Sequence, residues 1–177
     1  MFKNKIFFNT FPSLEAQVAS ISDDIAYNNH DLEDGLRANL FSIKELSGIE
    51  PLNKIISKHI KKIKSYRREV IINQIVRELI NLMVIDVIKT TKMNLKKIKA
   101  KNPNFIFKHN DTVVNFSPKM KKTVLEIKNF LKINMYNHKK VIVNTNNGKK
   151  IVSRLFSYLL QNPKNYFKKD LFKKNTK

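Results

Sequence analysis

The segment from Ser13 to Asn39, reading SLEAQVASISDDIAYNNHDLEDGLRAN, constrains the fold of this chain more than any other. It contains no proline, and Pro12-Ser13 stands before it as a helix entry with Ser13 as N-cap. At about 100° per residue, Leu14, Val18, Ile21, Ile25, Leu32 and Leu36 gather on one side of a helix. Asp23, Tyr27, His30 and Asp34 fall within roughly 60° of one another on the opposite side, with Asp31 at the edge of that group. The segment therefore predicts an amphipathic helix whose second face carries carboxylates, a phenol and an imidazole.

Six of the fourteen acids of the chain lie in this segment, although the formal net charge is +21. Charged helix faces are ordinarily just solvated, and that reading stands beside a functional one. Two features favour function. Asp31, Glu33 and Asp34 sit in the last turns, where the helix dipole disfavours acids. The acids also cluster in a chain that is otherwise basic. Together they point to a cation site or a site for hydroxyl groups.

The remaining sequence reads as further helices. Residues 52–64 place Ile55, Ile56, Ile60 and Ile63 on one side and Lys54, Lys58, Lys61 and Lys62 opposite, as in a surface helix. A long element follows from Tyr66 to Met93. Its Val70–Ile88 portion is apolar nearly all round, but Arg77, Glu78 and Asp86 interrupt it, which argues for a central buried helix and against a membrane span. Within such a helix Arg67, Arg68 and Arg77 need partners, either Glu69, Glu78 and Asp86 or a bound anion. Residues 96–122 are punctuated by Asn102-Pro103 and Ser117-Pro118 and read as loop. Ser117-Pro118 opens another helix through Tyr136, with Val124, Ile127, Phe130 and Leu131 as its apolar stripe. Val141-Ile142-Val143 predicts a brief strand or extended link. A last helix over 149–161 is expected to bury Ile151, Val152, Leu155, Phe156 and Leu159, with a lysine-rich tail after Pro163.

The basic charge suggests nucleic acid as a partner, since lysine and arginine release counterions from phosphate backbones. Yet there are 30 lysines to 5 arginines, and arginine is the residue for bidentate phosphate and base contacts. Much of the lysine load therefore reads as solvated surface. No cysteine is present, which suits a reducing, cytoplasmic location. Residues 1–11 lack the unbroken apolar run of a signal peptide. Gly-rich phosphate loops, Ser-His-Asp sets and zinc-type cysteine patterns do not occur.

Leu14-Glu15-Ala16-Gln17-Val18, Asp23-Asp24-Ile25-Ala26-Tyr27-Asn28-Asn29-His30-Asp31 and Asp34-Gly35-Leu36-Arg37-Ala38 resemble the signature of the HD-superfamily deoxynucleoside triphosphate triphosphohydrolases, the dGTPase-like proteins. Val76-Arg77-Glu78-Leu79-Ile80 with Val84-Ile85-Asp86-Val87, Phe116-Ser117-Pro118, and Phe130-Leu131 with Met135-Tyr136-Asn137-His138 continue the resemblance more loosely. It implies an all-α, HD-domain-type helical bundle, N-terminally incomplete, with residues 1–95 as the C-terminal part of the catalytic core and 96–177 as a helical subdomain with a basic tail. It further implies hydrolysis of a deoxynucleoside triphosphate to the nucleoside and inorganic triphosphate, with a divalent metal ion such as Mg or Mn. By the resemblance Asp23 is a metal ligand, Tyr27 and Asp31 face the sugar and phosphate of the nucleotide, and Arg67 and Arg68 are candidates to reach its triphosphate.

The family's first His and its His-Asp pair precede this motif, and none of the twelve residues ahead of Ser13 is His or Asp. His30-Asp31 is spelled like that pair but belongs to the tail of the present motif. The isolated chain is thus expected to be inactive, its remaining ligands supplied by a separately encoded N-terminal half. Homo-oligomers are expected for the intact family, and a membrane is not expected as a partner. Two other readings remain: a non-catalytic remnant or interaction subunit, and a basic helical nucleic-acid-binding module. The enzymatic reading requires the Asp23 carboxylate to serve a cleft; exposure to bulk solvent would count against it.

Overall fold

A computed structural model describes residues 10–60 and 66–166. The described residues are all-α. Helix α1 (Leu14–Arg37) is followed by a short 3-10 turn (Glu45–Gly48), α2 (Leu52–Ile60), α3 (Arg68–Lys97), α4 (Pro103–Phe107), α5 (Pro118–Leu131), a π-helical turn (Lys132–Tyr136), α6 (Lys139–Gln161) and α7 (Pro163–Tyr166). The chain divides into two compact units, 1–135 and 136–177.

In the first unit α1 packs on α3, with α2 and α5 closing over them. Ser13 caps α1 as its position predicts, its hydroxyl accepting from the Ala16 N–H. Ile25, Leu32 and Leu36 are buried on α1, and Leu14 and Ile21 pack partly against the core. Val18 departs from the expected pattern and stays 47% exposed. From α3 the core receives Ile71, Ile72, Ile75, Val76, Leu79, Met83 and Val87. Rather than being buried all round, α3 leaves Val70, Val84, Ile85 and Ile88 exposed. Helix α5 begins at Pro118 with Ser117 as N-cap and buries Val124, Ile127 and Leu131, as its stripe predicts.

Polar side chains pin the loops to this core. Gln17 is buried on α1; its amide NH2 donates to the Pro12 carbonyl at 2.9 Å, and its oxygen accepts from the Val113 and Val114 N–H groups at 2.8 and 3.1 Å. Asp86 on α3 accepts from the Ser117 N–H at 2.8 Å and from its hydroxyl at 2.7 Å, fixing the residue that starts α5. Gly35 lies under the Phe41 ring, where a Cβ would collide with it. Phe41 in turn meets Phe130 edge-on at 4.9 Å.

In the loop expected between 96 and 122, Asn102 caps a one-turn helix, α4, with Pro103 in its first turn. In the second unit, the expected strand at 141–143 is instead the beginning of α6, which runs unbroken through Gly148. His138 caps it, its Nδ1 accepting from the Lys140 N–H. The expected burial on this helix does not occur: Ile151, Val152, Leu155 and Phe156 are exposed and Leu159 is half-buried. Tyr158 and Tyr166 meet edge-on at 6.0 Å, and the hydrogen bond between them raises the Tyr166 phenol above its ordinary value.

Candidate functional site on helix α1

Helix α1 buries one side on α3, so its other side must face outward, and Asp23, Tyr27, His30 and Asp34 all lie there exposed. Tyr27 is 61% exposed. Asp31, half-buried, continues the row at the edge of the buried side. Steps of four residues advance about 6 Å each, so Asp23, Tyr27 and Asp31 form a line of roughly two helical turns. Two of the flanking acids are engaged elsewhere. Asp24 pairs with Lys128 of α5 at 3.2 Å, and Glu33 pairs with Arg37 at 2.8 Å. The Arg37 guanidinium also donates to the Asn73 side-chain oxygen at 2.7 Å.

The arginines are placed differently from their expected burial. Arg67 and Arg77 are exposed, and Arg68 is half-buried. Arg68 finds a carbonyl rather than an acid, donating to Leu36 O at the C-terminal end of α1 at 2.9 Å. That is the favourable end of the dipole for a cation. The acids of α3 have other partners. Glu78 accepts from Lys58 Nζ at 2.9 Å and meets His59 Nε2 at 2.8 Å, and Asp86 holds Ser117. Lys58 first, and His59 second, hold the Glu78 carboxyl below its ordinary value. His59 is buried, and its Nδ1 has no partner.

Asp23, Tyr27 and Asp31 are thus carried by one rigid element, and Arg68 is tied to its last turn. Asp23 itself forms no hydrogen bond or ion pair among the described residues, and no group of three His, Asp or Glu there has the placement to hold a metal ion. This chain's described residues do not by themselves fit a divalent metal: Asp23 is one donor facing solvent. A metal site that includes Asp23 would need donors from beyond the described residues.

Sequence similarity agrees with the motif. A phosphohydrolase-associated domain matches residues 114–176. The deoxyguanosinetriphosphate triphosphohydrolase-like protein of Pelagibacter ubique is 45% identical over 175 residues, which is 99% of this chain and 47% of that protein. Over nearly its whole length the chain is similar to a portion of a dGTPase-like protein. Proteins of the same description from Bartonella henselae and Agrobacterium fabrum are 38% and 36% identical, over 91% and 87% of this chain and 40% and 38% of their own lengths. The chain thus spans less than half the length of these relatives and corresponds to their C-terminal portion. Its all-α architecture is consistent with an HD-type helical fold.

The sequence does not reveal the buried amides. Gln17, Asn28 and Asn29 are buried on α1, where periodicity alone leaves their sides ambiguous. Asn28 and Asn29 donate to the carbonyls of Asp24 and Ile25, one turn back. The doubled Asn-Asn after Tyr27 was the available signal. Among the described residues no helix is long and apolar enough to cross a membrane.

Proposed function

We propose that this chain supplies one wall of a cytoplasmic phosphohydrolase site acting on deoxynucleoside triphosphates, and that it is inactive alone. In this reading Asp23 is one carboxylate donor of a divalent metal site completed by residues outside this sequence. Tyr27 offers a phenol to stack on or bond to the sugar, and Asp31 accepts from a sugar hydroxyl. Arg67 and Arg68, at the start of α3, supply positive charge toward the triphosphate, with Arg68 already oriented by α1. The supporting observation is the row Asp23, Tyr27 and Asp31 at four-residue spacing on a helix that the core holds rigidly. The family similarity adds to it.

The test is reconstitution. The chain is co-expressed with the part of the Pelagibacter ubique relative that lies outside the match, and release of inorganic triphosphate from deoxynucleoside triphosphates is measured with Mg or Mn. Activity that appears only in the pair, and disappears with Asp23→Ala, supports the reading. A pair that assembles and stays inactive with every divalent metal refutes it and favours a non-catalytic remnant.

The charge of +21 gives the nucleic-acid reading a specific footing. That reading expects salt-sensitive DNA or RNA binding by the chain alone, unchanged by Asp23→Ala and by metal chelation.

A further inference from the structure

We propose that the groove between α1 and α3 is the seat of an apolar helix from the remaining portion of the family protein, an inference that rests on the functional reading above. The groove has a volume of about 370 Å³ and lies within the first unit. Val18, Ile21 and Ile25 line it from α1, and Val84, Val87 and Ile88 from α3. Ile25 and Val87 form its buried floor, whereas Val18 and Ile88 on its rims are 47% and 48% exposed. Large aliphatic side chains left half in water on two packed helices mark a surface built to be covered.

Three observations select the occupant. First, the chain accounts for 47% of the length of its Pelagibacter ubique relative, so more than half of that protein is available to cover this face. Second, Thr91 lines the groove, so its hydroxyl is placed to bond a carbonyl or side chain of the incoming segment. Third, charge disfavours self-association: a second copy would bring +21 against +21, and among the described residues Lys92 is the one charged residue lining the groove. The recess lies between two helices, a shape that accepts the ridge of a third helix rather than a flat lipid surface.

The test uses the same co-expressed pair, with an affinity tag on the relative's portion and recovery of the chain as readout. The wild-type chain is expected to co-purify. Val18→Glu combined with Ile88→Glu is expected to reduce recovery at least tenfold, since two carboxylates would be buried in an apolar contact. Both positions are exposed, so far-UV circular dichroism and the melting temperature of the chain alone are expected to be unchanged. Leu125→Glu, on an exposed part of α5, is expected to co-purify normally. Recovery that ignores the double substitution overturns the proposal, as does absence of any complex. Self-association of the wild-type chain that the double substitution abolishes overturns it in favour of a second copy. Triphosphate release is scored separately. Its absence in a complex that obeys the groove substitutions strikes the proposed activity and leaves the docking surface standing. Its presence in a complex indifferent to them does the reverse.

Discussion

Replacing Gln17 tests whether one buried amide fastens the distant loop at 112–114 to α1. Its oxygen is the acceptor for two backbone N–H groups, on Val113 and Val114, and both residues are buried. In Gln17→Met the side chain keeps nearly the same length and volume but accepts nothing. Each orphaned N–H costs about 1–3 kcal/mol, so the pair amounts to roughly 2–5 kcal/mol after local relaxation. Unfolding entropy near 2.1 cal/mol/K per residue over the unit 1–135 gives about 0.28 kcal/mol/K. The expected fall in melting temperature is therefore about 7–18 °C, a large fraction of a typical domain's stability. Thermal and urea unfolding of wild type, Gln17→Met and Gln17→Ala provide the measurement. If packing alone mattered, Met would be nearly neutral and only Ala would destabilise. A Met variant within about 0.5 kcal/mol of wild type would refute the hydrogen-bond argument, since an isosteric apolar swap ordinarily costs little.

Glu78→Gln should lower the melting temperature by about 4–11 °C, because Lys58 and buried His59 then lose the carboxylate they share, at about 1–3 kcal/mol. Its pH dependence has a definite sign. The folded carboxyl sits below its ordinary 4.5, so its stabilisation is complete above that value and is lost as pH falls through the folded pKa. Acid titration of stability should accordingly be shallower in Glu78→Gln, and an unchanged acid limb would count against the assignment. Gly35→Ala should destabilise by about 1–2 kcal/mol in urea unfolding, as the collision with Phe41 outweighs a helix-propensity gain of about 1 kcal/mol. Adding Phe41→Leu should recover part of that loss, and strict additivity would refute the contact. Asp23→Ala should leave the stability of the isolated chain within about 0.5 kcal/mol of wild type while abolishing reconstituted hydrolysis; a large loss of stability would assign Asp23 to structure.

What was legible in the sequence followed from local signals. Ser13 and Ser117 are caps followed by long apolar stripes, and both helices begin where those residues place them. The outward row of α1 was legible because its members share one helix and one periodicity. The start of helix α6 differs from its sequence pattern because β-branched Val141-Ile142-Val143 and the Asn146-Asn147-Gly148 cluster have strand and turn propensities, which the continuous helix overrides. Asn102-Pro103 has the composition of loop punctuation, yet a capping Asn followed by Pro also begins a helix. The Arg68 bond to Leu36 O and the Gln17 fork could not be read from spacing, since their partners lie 32 and 96 or 97 residues away.

Because α1 serves opposite masters on opposite sides, its length is harder to change than its composition. One residue inserted between Tyr27 and Asp31 would swing everything beyond it through about 100°. Leu32 and Leu36 would leave the core, and Asp31 would leave the line of Asp23 and Tyr27. Substitutions along the outward side leave that phase intact, whereas a frame-preserving indel of a single codon disrupts scaffold and site together. Variation in this helix should therefore accumulate by replacement, with gaps confined to the loops at either end.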